Sequence, residues 1–438
     1  MNKKLIAGTL LGLSGAGVAY YLYRNQKKNE MLADAEIHGL TAPGFEAVRD
    51  VFRQNFTERN ELGGGCSVFL NGEKAVDLWG GYRDATTLKP WEEETMAVVY
   101  STTKGLAAMS IALAHSRELI DYDEKVAAYW PEFAQNGKED ITVRQLLAHQ
   151  AGLFAFDEPV DSATVADLDR LAEVMARQTP AWMPGEKQAY HAISLGFYEG
   201  ELIRRVDPKH RSLGKYFYEE ISIPLGLEAY IRLPEDIPNS RLAVIDPPGI
   251  LEMIWGFPPM LTIDSFNPRS NIYRALIANP GSGIVHDDET VYARDLEVPS
   301  GGGVATAAAI AKAYGVFASG GIELGLKKET LDLLAAPAIP SKNGFYDECM
   351  RGEAKFSLGF MKPCEAWPFK QPQAYGHPGA GGSIGFADPV KKIGYAYVTN
   401  RMGTSLTGDP RETALRDAVY RCVERIEKSA ITAAAAGG

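Results

Sequence analysis

Cysteine is scarce in this chain, with four copies among 438 residues. They lie at Cys66, Cys349, Cys364 and Cys422, without the Cys-x-x-Cys spacing of zinc sites or the dense pattern of disulfide frameworks. The cysteines therefore indicate neither a zinc site nor a disulfide framework. No cofactor and no metal are expected for this chain. We expect the four thiols to fill apolar positions in the core.

A surplus of basic residues is also absent. The 45 lysines and arginines are outnumbered by 56 aspartates and glutamates, which gives a formal net charge of −11. Nucleic acids and anionic lipid surfaces are bound through basic patches, so neither is an expected partner of the main body of the chain. A small neutral substrate is compatible with this charge. The composition predicts nothing about the oligomeric state.

One long apolar run is present, from Leu5 to Tyr23, with basic residues on both sides. Its length is near the ~20 residues that a helix needs to cross a bilayer, and Gly17-Val18-Ala19 offers small residues for peptidase cleavage. Residues 1–30 are therefore predicted to be a membrane anchor or signal segment, and the only part of the chain that contacts a membrane. Anchoring at, or export to, the extracytoplasmic (periplasmic) side is favoured. A mitochondrial presequence is the open alternative.

Strand and helix patterns occur at both ends of the main body. Apolar residues from Phe45 to Phe56 recur at helical spacing, and Asn71-Gly72, a strong hairpin signal, separates two apolar strands. A second strand pair is predicted at Ser383–Ala387 and Ile393–Val398. A last amphipathic helix follows, with its apolar stripe from Leu415 to Ile426.

The middle of the chain favours helices instead, as at Val143–Leu147 and Val165–Arg177. We therefore predict a mixed α/β (α+β) fold. One discontinuous domain, 36–127 and 296–429, would hold an antiparallel sheet flanked by helices from both chain ends, and a mostly helical domain would be inserted at 128–295. The Ala/Gly-rich residues 430–438 are predicted to be a disordered tail.

Within the insert, Ile245–Pro280 is rich in proline and aromatic residues and has little periodicity. This favours an ordered loop that forms an apolar wall or lid, with Trp255, Phe257 and Phe266 as candidate substrate-binding residues. A surface loop packed on its own aromatic residues is an equally good interpretation.

The most informative stretch for chemistry is Tyr100-Ser101-Thr102-Thr103-Lys104, at the start of a strongly apolar helical run. Residues i and i+3 share one face of a helix, so the Ser101 hydroxyl and the Lys104 amine can share a proton. A serine becomes nucleophilic when a neighbouring base takes its proton, and an amine is such a base at neutral pH when desolvation lowers its pKa. The alternative for Ser101 is a helix N-cap.

Two further segments would complete such a site. Tyr190 precedes an amphipathic helix, where its hydroxyl could point into a cleft, although a core tyrosine is the simpler interpretation. The stretch from Gly376 to Gly382, Gly-His-Pro-Gly-Ala-Gly-Gly, leads into the second strand pair. A glycine-rich strand edge lets a substrate carbonyl approach the backbone closely, or marks a bulge.

With these motifs in this order, the sequence from Phe45 onward resembles the serine β-lactamase-fold hydrolases, in particular class C β-lactamases and family VIII carboxylesterases. In that family the first motif is Ser-x-x-Lys, matched by Ser101 and Lys104. The second begins with a tyrosine, matched by Tyr190, and the third is Lys-Thr-Gly or a variant, whose place His377-Pro378-Gly379 would take. The resemblance implies a β-lactamase/transpeptidase-like fold and a serine hydrolase.

The resemblance also implies a role for each residue. Ser101 would attack a substrate carbonyl, Lys104 and Tyr190 would share the role of base, and Tyr190 would protonate the leaving group. The oxyanion would bind the backbone N–H groups of Ser101 and Ala380. His377 would orient the substrate or take over part of the electrostatic role of the family's lysine.

Two departures from the family pattern bear on the substrate. β-Lactamases usually carry an asparagine two residues after the tyrosine, and Ala192 stands at that position. The third motif lacks the lysine that faces an antibiotic's carboxylate, a charge that a neutral ester does not need. The sequence therefore predicts a hydrolase of short-chain, small-molecule esters. A D,D-peptidase or weak β-lactamase is the first alternative, and an inactive, membrane-tethered binding protein is the second.

A different enzyme class is suggested by Gly381-Gly382-Ser383-Ile384-Gly385, which spells the nucleophile elbow of α/β-hydrolases. That fold needs a histidine downstream of its serine. The last histidine of this chain is His377, which precedes Ser383, so the pattern disfavours this class.

Overall fold

The computed structural model of the protein describes residues 34–249, 258–278, 296–367, 369–405 and 407–436, and the single residues 252, 256 and 294. The predicted anchor or signal segment, Trp255 and Phe257 lie outside the described residues. Within the described residues, none of the helices combines the length and the apolar character that crossing a bilayer requires.

The centre of the molecule is an eight-stranded antiparallel sheet, with strands in the order β1-β3-β2-β13-β12-β11-β10-β9. Two small sheets lie beside it, one with the order β4-β6-β5 and one formed by β7 and β8. The strands are β1 (Ile37–Thr41), β2 (Gly63–Leu70), β3 (Glu73–Gly81), β4 (Ala97–Val98), β5 (Ala229–Tyr230), β6 (Val304–Ala305), β7 (Tyr346–Asp347), β8 (Gly352–Glu353), β9 (Lys355–Ser357), β10 (Phe360–Lys362), β11 (Tyr375–Pro378), β12 (Ile384–Asp388) and β13 (Ile393–Thr399).

Helices cover both faces of the large sheet and make up most of the region between β4 and β6. They are α1 (Glu46–Glu58), α2 (Thr102–Ser116), α3 (Val126–Tyr129), α4 (Val143–Leu147), α5 (Ser162–Ala166), α6 (Leu168–Arg177), α7 (Ser194–Val206), α8 (Leu213–Phe217), α9 (Ile223–Leu225), α10 (Pro259–Ser265), α11 (Asn271–Leu276), α12 (Ala307–Ala318), α13 (Lys328–Ala335) and α14 (Pro410–Ala436). A π-helical turn at Tyr218–Ser222 joins α8 to α9.

Segments from near the two ends of the main body pair directly in the sheet. β2 lies antiparallel to β13, with Leu70 opposite Ile393 and Gly64 opposite Thr399. Side chains alternate between the two faces of a strand. Tyr395 and its neighbours on the same side of β13 pack with α1 and α14, whereas Ala396 and Val398 join the core on the other face, with α2 and α12. The predicted antiparallel sheet flanked by helices from both chain ends is confirmed.

The predicted hairpin is also confirmed. Asn71 and Gly72 both have positive φ angles, 54° and 85°, as a two-residue type I′ turn requires. The strand pair at β12 and β13 and the helices α1 and α14 also form where the sequence patterns predict them.

Every residue of α2 except His115 is buried. This helix lies between the large sheet and the helical region, and side chains of both join one apolar core that includes Leu106, Tyr198 and Val398. Because α2 is enclosed on all sides, it needs no polar face, which explains its apolar composition. The burial of all four cysteines, as free thiols, agrees with their predicted place in the core.

Two predictions about irregular segments are wrong in part. Residues 430–436 do not form a disordered tail, since α14 continues to Ala436 and alanine is the residue that a helix accommodates best. Ile245–Pro280 is not a single loop, because α10 and α11 lie within it. Phe266, the residue after α10, has 82% of its surface exposed.

The domain boundaries at 127/128 and 295/296 stay a prediction. Side chains of the inserted region and of the main body share one core, so the insert packs as part of the body.

Candidate active site

Ser101 lies at the junction of β4 and α2, where the chain turns sharply. The preceding residue, Tyr100, has a φ of 46°, an uncommon angle for an aromatic residue. Two hydrogen bonds secure the turn, because the carbonyl oxygen of Tyr100 accepts from the N–H and the Oγ1 of Thr103. Ser101 occupies the N-cap position of α2, but its side chain forms no capping hydrogen bond. Its hydroxyl remains available to other groups.

Lys104 is fully buried one turn into α2, and its amine contacts three oxygens. Nζ lies 3.3 Å from Oγ of Ser101, 2.6 Å from the carbonyl oxygen of Ala192 and 2.8 Å from the carbonyl oxygen of Ser300. Burial lowers the pKa of Lys104 to about 7, against an opposing effect of the Glu199 carboxylate. The amine is therefore largely uncharged at slightly alkaline pH.

The two carbonyl oxygens orient the uncharged amine. A neutral amine has two N–H bonds and one lone pair. When the Ala192 and Ser300 carbonyls accept the two N–H bonds, the lone pair is left for the hydroxyl of Ser101. This arrangement makes Lys104 a proton acceptor aimed at Ser101.

Tyr190 approaches the same serine from the loop before α7. Its hydroxyl lies 2.9 Å from Oγ of Ser101, and its ring lies beneath the amine of Lys104, with Nζ 4.9 Å from the ring centroid. The ring also stacks on Phe356 with centroids 5.5 Å apart. Burial raises the pKa of Tyr190, so the phenol is protonated at neutral pH and can donate.

Three buried histidines surround this group. Desolvation lowers the pKa of His191 to about 4 and that of His377 to about 3, and it places the pKa of His149 well below its ordinary value. The His377 ring stacks near Tyr190 with centroids 6.0 Å apart, and its Nδ1 lies 2.7 Å from the Pro378 carbonyl oxygen. All three rings are uncharged at neutral pH, so His377 supplies no positive charge to the site.

The turn after β11 brings a second backbone segment to the start of α2. At Gly379 a Cβ would overlap the carbonyl oxygen of Val99 and lie 2.9 Å from Oγ1 of Thr102, so only glycine allows this approach. The next residue, Ala380, is exposed and begins a 3₁₀ turn. Within the described residues, the N–H groups of Ser101 and Ala380 form no hydrogen bond. Both are free to donate to a bound group.

A buried arginine secures this turn from behind. Nη2 of Arg411 donates to the carbonyl oxygen of Gly381 at 2.8 Å, and the N–H of Gly403 donates to the same oxygen at 2.9 Å. The guanidinium is held in turn by the carboxylates of Asp409 and Glu61. These contacts fix the backbone of the glycine-rich turn relative to the sheet.

With this geometry established, the comparison with known proteins decides the family. The Beta-lactamase family profile matches residues 48–420, most of the chain. The chain belongs to the β-lactamase family.

Individual relatives agree with this family assignment. Esterase/beta-lactamase LipL of Mycobacterium tuberculosis is 32% identical over 378 residues, which covers 84% of each protein. A family VIII carboxylesterase of known structure is 36% identical with a TM-score of 0.77, and a penicillin-binding protein homologue from Caulobacter crescentus is 34% identical with a TM-score of 0.78. Each superposition covers 88% of this chain and all of the other. The chain is a serine hydrolase with the β-lactamase/transpeptidase-like fold.

The rival nucleophile is buried within this β-lactamase fold. Ser383 is 2% exposed, its Oγ accepts the N–H of Thr399, and its carbonyl oxygen accepts the N–H of Gly379. A nucleophile elbow presents its serine at an exposed turn, so the Gly-x-Ser-x-Gly pattern is not one here.

The structure thus brings Ser101, Lys104, Tyr190, His377 and the Gly379-Ala380 turn together. Sequence reasoning missed the carbonyls of Ala192 and Ser300. The carbonyls could not be found by residue type, because every residue has one.

Proposed function

We propose that the chain hydrolyses small carboxylic esters with short acyl groups, through an acyl-enzyme on Ser101. The observation that carries this proposal is the pair of contacts to Oγ of Ser101, from the desolvated amine of Lys104 and from the hydroxyl of Tyr190. A hydroxyl next to an uncharged amine loses its proton to that amine as it attacks a carbonyl carbon.

These residues provide a donor and an acceptor for every proton transferred in the two half-reactions, acylation and deacylation. In acylation, the proton of Ser101 passes to Lys104, while Oγ bonds to the ester carbonyl carbon. Lys104 then returns a proton by way of Tyr190, whose hydroxyl protonates the departing alkoxide as the ester bond breaks. In deacylation, water loses a proton to the same pair and attacks the acyl carbon, and Oγ of Ser101 recovers a proton as it departs.

Negative charge develops on the former carbonyl oxygen in each step. The N–H groups of Ser101 and Ala380 would receive it, and their lack of other partners within the described residues supports this role. The positive end of the α2 dipole lies at Ser101 and favours the same charge. No step requires a metal or an organic cofactor.

Two features favour esters over β-lactams. Ala192 has no side-chain amide to hold a β-lactam side chain, and it contributes only its backbone carbonyl, to Lys104. The uncharged ring of His377 offers no cation to an antibiotic's carboxylate. The similarity to a family VIII carboxylesterase points the same way, whereas the name of Esterase/beta-lactamase LipL carries both activities. Trp255 and Phe257 stay predicted contributors to the acyl pocket.

The test is hydrolysis of p-nitrophenyl esters of increasing acyl length by the purified protein and by Ser101→Ala. We expect activity that is greatest on short acyl groups and absent from the variant, together with labelling of Ser101 by a fluorophosphonate probe. Equal activity in both proteins would overturn the assignment. Failure of the wild type to label would favour a binding protein that has kept the fold without turnover.

A D,D-peptidase or weak β-lactamase is the second candidate, favoured by the similarity to the penicillin-binding protein homologue. It would use the same three residues on an amide bond. A labelled penicillin and a chromogenic cephalosporin distinguish the two, and we expect slow or no acylation by either. Rapid penicillin labelling at Ser101 with poor ester turnover would reverse the preference.

A further inference from the structure

The side chain of Met402 contacts both backbone segments that carry the proposed oxyanion donors. Met402 follows β13 and is partly buried. On one side, its Sδ lies 3.7 Å from Oη of Tyr100, the residue directly before Ser101, within the range of a hydrogen bond to sulfur. On the other side, a Cβ built at Gly381, directly after Ala380, would lie 3.0 Å from Cγ of Met402. One side chain therefore connects the two donor segments.

Met402 is itself held in place by its backbone. Its N–H donates to the carbonyl oxygen of Asp246 at 3.0 Å, and the N–H of the next residue, Gly403, donates to the carbonyl oxygen of Gly381 at 2.9 Å. Burial raises the pKa of Tyr100 to about 12, so its phenol is protonated at neutral pH and donates to the thioether. A thioether sulfur is a weak acceptor, and its flexible, apolar chain packs well in irregular spaces.

The two donor segments also touch at a second point. Gly379 lies so close to the carbonyl oxygen of Val99 that a Cβ there would overlap it. The contact at Gly379 and the contact through Met402 lie on either side of Ala380 in the glycine-rich turn. Two points of contact prevent a rotation of the turn that a single contact would allow, so the N–H of Ala380 keeps its direction.

The backbone of Tyr100 gives the Met402 contact further weight. Tyr100 has a φ of 46°, which an aromatic residue adopts only where its surroundings hold it. The peptide group that follows Tyr100 contains the N–H of Ser101. Thr103 holds the carbonyl end of this peptide group, and Met402 holds the Tyr100 side chain. Loss of the Met402 contact would therefore loosen the residue that orients the first oxyanion donor.

We propose that Met402 is a positioning residue that sets the separation of the two oxyanion donors. It acts through Tyr100 and Gly381, which adjoin the N–H groups of Ser101 and Ala380. The inference rests on the proposed function and adds a residue to it. The oxyanion forms only when the ester carbonyl is attacked, so its donors stabilise the transition state more than the bound substrate. Changes at Met402 should lower kcat and leave KM nearly unchanged.

The experiment uses a pair of substrates that differ in one atom. p-Nitrophenyl acetate is compared with its thionoester analogue, in which sulfur replaces the carbonyl oxygen. Sulfur is the weaker hydrogen-bond acceptor, so hydrolysis of the thionoester depends less on the oxyanion donors. Displaced donors should lower kcat/KM for the ester more than for the thionoester, whereas partial unfolding would lower both by the same factor. The ratio of the two values is therefore the readout.

The variants remove the Met402 contacts one at a time or together. Met402→Ala removes both, and we expect kcat on the ester to fall about 10-fold or more, with a matching fall in the ratio, but by less than the roughly 10²- to 10³-fold loss of a whole donor. Met402→Leu and Tyr100→Phe each remove only the hydrogen bond, so each should lower kcat by about 2- to 10-fold. Their combination should be no slower than the slower single variant, because both remove the same contact.

Tyr420→Phe is the control for a purely structural effect. Its hydroxyl donates to Asp388 at 2.7 Å in the core on the sheet face opposite α2. This variant should unfold at a lower temperature and keep the wild-type ratio.

A wild-type ratio in Met402→Ala, or equal losses on the two substrates, would overturn the inference. If Met402→Ala does not fold, the same ratio in Met402→Leu and in the double variant decides the matter. A wild type that is neither labelled at Ser101 by a fluorophosphonate nor active on esters would mean that the proposed function fails. That outcome is distinct from an unchanged ratio in an active enzyme.

Discussion

The Tyr190 hydroxyl lies 2.9 Å from the Ser101 hydroxyl, although 89 residues separate them along the chain. Lys104 reaches the same oxygen from within α2, at 3.3 Å. The serine therefore contacts two proton-transfer groups with different properties. One is an amine whose pKa is lowered to about 7, and the other is a phenol whose pKa is raised. This difference suits a relay in which the amine accepts a proton and the phenol donates one.

Tyr190→Phe should separate proton relay from packing. The change removes the hydroxyl and keeps the ring that stacks on Phe356, so the unfolding temperature should change little. We expect kcat/KM for p-nitrophenyl acetate to fall about 10²- to 10⁴-fold, the usual contribution of a general acid–base group. Tyr230→Phe, in the small β4-β6-β5 sheet, is the control and should retain activity. Wild-type turnover by Tyr190→Phe would contradict the relay.

The pH profile of the wild type should show the titration of Lys104. Only the uncharged amine accepts the proton of Ser101, so kcat/KM should rise with pH through about 7. His377 should contribute no limb between neutral and mildly acidic pH, because its pKa is lowered to about 3. The measurement is kcat/KM across this range, with a substrate that does not itself ionise. A flat profile near pH 7 would argue against an amine base.

Lys104→Met should abolish turnover and change how stability depends on pH. The folded state lowers the pKa of Lys104 from its ordinary value of 10.5 to about 7. The unfolded chain therefore binds more protons between these values, and wild-type stability should rise with pH through that window. Methionine cannot titrate, so the variant should lose this component of the rise. Thermal unfolding at several pH values measures the difference, and parallel curves for the two proteins would contradict it.

Gly379→Ala tests the close approach of the glycine-rich turn to α2. A Cβ at this position would overlap the Val99 carbonyl oxygen, which lies two residues before Ser101. We expect the turn to shift, Ala380 to leave its place and kcat/KM to fall strongly, by an amount like the 10²- to 10³-fold loss of an oxyanion donor. Gly352→Ala is the matched control, since a Cβ there meets nothing within 4 Å. Equal activity in the two variants would contradict the proposed site.

Arg411→Met should destabilise the fold and misplace the same turn. The change leaves the buried carboxylates of Asp409 and Glu61 without their cation and removes a donor to Gly381. Breaking such a buried pair costs about 3–5 kcal/mol, whereas an exposed pair contributes at most about 1 kcal/mol. Denaturant unfolding should show a large loss of unfolding free energy in Arg411→Met and a small loss in the control Arg177→Met, because its partner Glu158 is half exposed. Equal losses in the two variants would contradict the anchoring role of Arg411.

Local features of this protein were open to prediction because they depend on neighbours in sequence. The hairpin at Asn71-Gly72 follows from the positive φ angles that a two-residue turn demands, and both residues adopt them. The pairing of Ser101 with Lys104 follows from the three-residue spacing of a helix. The helix that carries them is apolar on every side, which correctly predicted its burial.

Contacts between distant segments were not open to prediction in this way. Local patterns were enough to predict the helix that holds Ser101 and Lys104, the strands near both ends of the main body and the order of the three motifs. Only the folded chain shows that Tyr190 reaches Ser101 and that the carbonyls of Ala192 and Ser300 orient the amine of Lys104. Carbonyl groups carry no residue-specific signal. The pKa of a lysine depends on how much water the whole fold excludes from it, which no local pattern specifies.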